Sequence, residues 1–130
     1  MVKITDIMEA IELSFASNID PVITPYYDMV NQKVVFLEDT ELESLTDDNR
    51  YISFYLDIYS STIIESFILS INDSMIQNRM FDVFRGKGKY SRIKNYFYDL
   101  GIERNYYKFR DDYIKDLAIQ WCQDHHVSYE

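Results

Sequence analysis

The chain of 130 residues holds three glycines, two prolines and one cysteine, and each scarcity excludes something. Little glycine and proline leaves little material for turns, so connections are expected to be few and short, which favours helices. A lone Cys122 excludes an intrachain disulfide framework and suits a reducing compartment. No uncharged run approaches the roughly 18–20 apolar residues that span a bilayer. Asp6, Glu9 and Glu12 interrupt the apolar stretch that a secretory leader would need. A cytoplasmic protein with no membrane partner is expected. Positive charge is also scarce, with 13 Lys and Arg against 22 Asp and Glu, a net charge of −9. Such a balance opposes duplex DNA as a partner for the whole surface.

What the chain has in quantity is aromatic side chains, twelve Tyr and eight Phe. Each buried ring removes roughly 150–250 Å² from water, so the core can be large for the length. With 47% hydrophobic and 27% charged residues the composition is that of a globular protein. A single domain over 1–130 is expected, with a helix and small sheet in 1–57 and a helical cluster in 58–130.

Ile4, Ile7, Met8, Ile11 and Phe15 recur every three or four residues, which predicts an amphipathic helix over 4–15. Asp6 with Glu9 offers a capping box, and Thr5 is an alternative cap. Pro21 and Pro25 close that region. Residues 23–29 and 33–38 are rich in Tyr, Val, Ile and Phe and read as a hairpin turning at Val30-Asn31-Gln32. Asn31 tolerates the left-handed conformation that a tight turn often needs. A hairpin alone is marginal in water, so Tyr51-Ile52-Ser53-Phe54 reads as a third strand. Carboxylates at 38, 39, 41, 43, 47 and 48 mark a solvated loop or frayed helix between them.

From Ser60 the period is helical. Ile63, Ile64, Phe67, Ile68 and Ile71 form one stripe, opened by Thr62 and Glu65 at capping-box spacing. Asn72 or Asp73 starts a second helix with Ile76, Met80, Val83 and Phe84 inward. Gly86-Lys87-Gly88 interrupts it. A helix over 91–100 follows, with Ile93, Tyr96, Phe97 and Leu100 inward and Gly101 as its stop. The last helix covers 103–124 on Tyr106, Phe109, Tyr113, Leu117 and Trp121, and 127–129 offers a short terminal strand. The expected class is α+β, a small N-terminal antiparallel hairpin or three-stranded sheet packed on a C-terminal helical cluster.

Charge inverts in the middle of this pattern. Between 79 and 110 stand nine Lys and Arg (79, 85, 87, 89, 92, 94, 104, 108 and 110) against Asp82, Asp99 and Glu103. One surface is therefore suited to anions while the rest repels them. Arg85, Lys87, Lys89, Arg92 and Lys94 flank the two glycines, whose backbone N–H groups could approach a phosphate or carboxylate. The competing reading is a helix-to-helix turn flanked by solvated lysines. The segment is neither a Walker A loop nor a dinucleotide fingerprint, because the required glycine and Lys-Ser/Thr spacing is missing. Tyrosines interleave with these cations, as in proteins that bind single-stranded nucleic acid. Most of those rings fall on core-facing positions, and Tyr98 and Tyr107 are the two off the apolar stripes.

Other chemistry is thin. Cys122, His125 and His126 lie close in sequence, but a zinc site needs three or four convergent ligands. A helix end where imidazoles meet the negative end of the dipole is the better reading. Asp47-Asp48 and Asp111-Asp112 are carboxylate pairs, and nothing in the pattern singles out either as buried for acid–base work.

Gly86-Lys87-Gly88 followed by Tyr90, Arg92 and Lys94 resembles the Gly-Lys-Gly-aromatic-Arg-aromatic-Lys run of a bacterial family of small acidic proteins of unassigned function, UPF-0158. Tyr106-Tyr107-x-Phe109-Arg110 is similar to its Trp-Tyr-x-Phe-Arg segment, and Gln120-Trp121 to its terminal Glu-Trp. Tyr26-Tyr27-Asp28 followed by Lys33-Val34-Val35 looks like its hairpin. The resemblance spans residues 22–127, with Ile93 in place of an aromatic, Tyr106 in place of a Trp and Asn31-Gln32 without the turn glycine. It implies bacterial origin and a shared fold, and brings no activity, cofactor or catalytic residue.

The function expected from these features is a non-enzymatic binding or regulatory module, without a cofactor, that acts as a monomer or homodimer. Its partner is expected to be a protein engaged through Arg85, Lys87, Lys89, Arg92, Lys94, Tyr98 and Tyr107. Single-stranded nucleic acid on the same patch is the alternative. An acidic phosphate mimic built on 38–48 is a third class.

Overall fold

The computed structural model describes residues 1–16, 23–38, 41, 49–54, 56 and 60–130. The architecture is α+β, with a helix, a three-stranded antiparallel sheet and then four helices. In chain order these are α1 (Ile4–Ala16), β1 (Ile23–Asp28), β2 (Lys33–Glu38), β3 (Tyr51–Ser53), α2 (Ser60–Ser70), α3 (Ser74–Val83), α4 (Lys89–Asp99) and α5 (Glu103–Asp124). Contacts divide the chain into two compact units, Met1–Asp57 with Ile114–Glu130, and Ile58–Tyr113. Helix α5 contributes to both.

In the first unit the strand order is β2-β1-β3. Strand β1 pairs with β2 from Ile23↔Glu38 to Asp28↔Lys33, and with β3 from Tyr26↔Ser53 to Asp28↔Tyr51. Trp121 of α5 organises the core over this sheet. Its ring stacks on Phe54 at 4.5 Å and meets the Tyr27 ring edge-on at 5.7 Å, while its indole N–H donates to the Ser53 carbonyl at 3.2 Å. Ile7, Ala10 and Ile11 of α1, with Val2, Ala118, Cys122 and Val127, complete the buried cluster. The apolar spacing of α1 thus finds the use it predicts.

Three local details differ from the sequence pattern. Helix α1 starts at Ile4, so Thr5 and Asp6 lie in its first turn instead of capping it. The Lys3 carbonyl accepts the Asp6 and Ile7 N–H groups, and the Ile4 N–H is satisfied by the distant Glu130 carbonyl at 2.9 Å. Residues 127–129 form a single parallel bridge, Val2↔Tyr129, in place of a strand. In the hairpin turn the left-handed residue is Gln32, with φ 53°, and not Asn31. The reason is chemical: the Asn31 side-chain amide and backbone N–H both donate to the Asp28 carboxylate. Gln32 then closes the turn through its N–H on the Asp28 carbonyl at 2.8 Å.

The second unit is built around Phe67, whose ring lies 5.1 Å from Phe97, 5.4 Å from Tyr106 and 5.4 Å from Phe109. Ile64, Ile68, Met80, Phe84 and Ile93 fill the space around these rings. Helix α2 begins at Ser60, two residues before Thr62, so Thr62 lies within its first turn and Glu65 beyond it, and the pair does not cap the helix. Asp73 caps α3, accepting the Met75 and Ile76 N–H groups at 3.0 and 3.1 Å. Gly101 ends α4 in the left-handed conformation, with the Ile102 N–H on Phe97 and its own N–H on Tyr98, a Schellman closure. Helix α5 closes through the same two bonds, Val127 to Cys122 and His126 to Gln123, with His126 at φ 56°. Among the described residues no helix is long and apolar enough to cross a membrane.

Candidate functional site

The sequence polarity in charge follows the division of the fold. The 58–113 unit carries nine Lys and Arg against seven Asp and Glu, net +2, while the other unit carries four against fifteen, net −11. Every residue singled out from the sequence, from Arg85 to Tyr107, falls in the cationic unit.

The 84–88 connection between α3 and α4 is shaped from within by Arg92. Its guanidinium donates to the carbonyls of Val83 at 3.4 Å, Lys87 at 2.6 Å and Arg85. Gly86 and Gly88 adopt φ 70° and 78°, which side chains with a Cβ resist. A Cβ on Gly88 would also come within 3.2 Å of the Arg92 guanidinium. The turn is therefore a preformed loop laced to the first turn of α4. This makes Arg92 an internal clamp of the loop, with its fork of donors turned to the backbone.

The remaining cations have different surroundings. Arg85 makes an exposed ion pair with Asp82 at 3.8 Å, of a kind worth little in water. The Lys89 ammonium lies 4.6 Å from the Phe84 ring centroid and 5.5 Å from that of Tyr90, a cation–π position. Lys87 and Lys94 are exposed. Among the described residues, no carboxylate lies within ion-pair distance of Lys87, Lys89, Arg92 or Lys94.

Tyr98 is 71% exposed. Tyr107 is less open and rests against the Tyr106 ring at 5.3 Å on α5. Tyr90, counted with the interleaved aromatics in sequence, is partly exposed and held. Its ring meets Phe84 edge-on at 5.3 Å and its hydroxyl pairs with the Ser60 hydroxyl at 3.2 Å. Tyr90, Lys94 and Tyr98 share one face of α4 at four-residue intervals. Tyr107, on another helix, makes no ring or hydrogen-bond contact with Lys94 or Tyr98 among the described residues. Tyr106 belongs to the core, where burial raises its phenol pKa.

Elsewhere, Cys122 is buried and burial pushes its thiol pKa up, which makes it a poor nucleophile. The His125 ring leans on Trp121 at 4.6 Å. Among the described residues no three His, Cys, Asp or Glu side chains gather as a metal site. Most of the acidic segment 38–48 lies outside the described residues.

One ionic centre went unread in the sequence. Asp28, at 2% exposure, accepts from Arg50 Nε at 3.0 Å and from a second guanidinium nitrogen at 3.1 Å. It also accepts from the Val30 and Asn31 N–H groups. The Arg50 bonds hold its carboxyl down at about 2, with burial opposing and the two N–H groups assisting. The available signals were an Asp closing a strand before a turn and an Arg isolated in an acidic stretch. This centre fastens β3 to the hairpin, with the carboxylate buried and the guanidinium partly exposed.

Comparison with family models, with curated proteins and with solved structures finds no match.

Proposed function

We propose that the chain is a non-enzymatic binding or regulatory module that takes an anionic partner on the 85–94 surface of its cationic unit. The observation that carries this reading is the pairing of a preformed loop with lysines that face no carboxylate among the described residues. A rigid loop loses little conformational freedom on binding, so a modest number of charges can suffice. The groups with displaced acidities, Tyr27, Asp28, Tyr106 and Cys122, are all buried, which supports binding over catalysis. The segment is also the one that carries the resemblance to the bacterial family. A reducing, cytoplasmic setting fits the single thiol.

The test is retention on immobilised heparin for the native chain and for Lys87→Glu/Lys94→Glu. Native protein should be retained at low salt and elute as salt rises, while the double variant should run through. Equal elution of the two would overturn the proposal.

A further inference from the structure

We infer that the anionic partner is single-stranded nucleic acid, read by the Tyr90–Lys94–Tyr98 face of α4 together with Lys87. The inference rests on the basic-surface reading above and adds the class of partner. An acidic protein would use the lysines alone and would leave the two tyrosine rings without a role. A single strand uses both, because bases stack on rings while phosphates meet cations.

The geometry suits that division. Tyr90 and Tyr98 stand two helical turns apart, about 12 Å along the axis, with Lys94 midway between them. Tyr90 is fixed before any ligand arrives, by the edge contact with Phe84 and the hydroxyl bond to Ser60. Tyr98 is 71% exposed and takes part in no ring pair among the described residues, so its face is open to a base. Lys87 extends the cationic track beyond the N-terminal end of the helix. The track is one helix face wide, and that width selects a single strand over a duplex. A duplex hides its bases from stacking and brings a second row of phosphates toward a chain of net charge −9. Carboxylates more than roughly 8 Å from the track are screened at physiological salt, so they weaken a local single-strand site without abolishing it.

The experiment is fluorescence anisotropy with labelled oligothymidylate and oligouridylate at several salt concentrations, beside labelled polyglutamate and a duplex of equal length. With Lys87 and Lys94 engaged, log K should fall with log salt at a slope of about −1.4. Lys94→Ala should lower that slope by about 0.7. Tyr98→Ala should weaken oligonucleotide binding roughly tenfold, with Tyr98→Phe near native because the π face remains. Circular dichroism of the exposed-site variants establishes that they fold. Equal binding by Tyr98→Ala, or a duplex bound as tightly as the single strand, overturns the inference. If polyglutamate binds in a lysine-dependent way and oligonucleotides do not, the partner class is wrong and the basic-surface reading stands. If neither binds at low salt, both fall.

Discussion

Replacing Asp28 tests the ionic centre that fastens β3 to the hairpin. In the folded protein its carboxyl titrates at about 2 in place of the ordinary 3.8, chiefly through the Arg50 hydrogen bonds. At about 1.4 kcal/mol per pH unit, that depression stabilises the fold by about 2–3 kcal/mol at neutral pH. Arg50 is 32% exposed, and solvent screening brings the expected value to about 1–2 kcal/mol. Because the folded pKa lies below the unfolded one, the stabilisation is complete above the ordinary value and drains away as pH falls through 3.8 toward about 2. Asp28→Asn retains an acceptor for the Val30 and Asn31 N–H groups but removes the charge that faces Arg50. Urea unfolding at pH 7 should show the Asp28→Asn variant less stable by about 1–2 kcal/mol, and the deficit should shrink by roughly half near pH 3. A carboxyl titration followed by NMR checks the cause directly, since Arg50→Gln should return Asp28 toward 3.8. A wild-type midpoint already near 3.8, or a deficit unchanged from pH 7 to pH 3, would refute the reasoning.

Arg92→Lys keeps the charge and removes the fork that reaches three carbonyls, so the 84–88 loop should loosen. Heparin retention should then fall at unchanged net charge, with faster amide exchange in the loop; unchanged values for both would show that the clamp does not shape the surface. His126→Gly should raise stability by about 0.5–1 kcal/mol in urea melts, because glycine takes the left-handed position at the end of α5 without the Cβ clash.

The elements were legible because their apolar periods are clean. The three-to-four spacing in Ile63, Ile64, Phe67 and Ile68 corresponds to the buried stripe of α2. Alternation around Tyr27 places that ring under Trp121. Gly101 was legible as a stop because its only role is a backbone angle. What escaped was decided by partners remote in sequence. The first N–H of α1 finds the carbonyl of Glu130, so no local cap was needed at Thr5 or Asp6. Asn31 gave its side chain to Asp28, and the left-handed step passed to Gln32. Arg50 reaches Asp28 across 22 positions, a pairing that no local period records. At the basic segment the glycines and the charge were legible, but counting cations treated Arg92 as equal to its neighbours.

That inequality follows from side-chain chemistry. A guanidinium is a planar fork of five donors, able to satisfy several acceptors at once, whereas an ammonium is a compact, strongly hydrated point charge. Arg50 uses two of its nitrogens on one carboxylate, and Arg92 spreads its donors over three carbonyls. Lys87 and Lys94, with no such fork, stay in water, and Lys89 rests on two ring faces. The charge that a ligand can reach is consequently smaller than the sequence count suggests, and it resides in the lysines. A surface of so few cations binds weakly through charge alone and depends steeply on salt. Under the proposed single-strand reading, affinity then comes from a contact that salt does not screen, and on α4 the exposed ring of Tyr98 is the group placed to supply it.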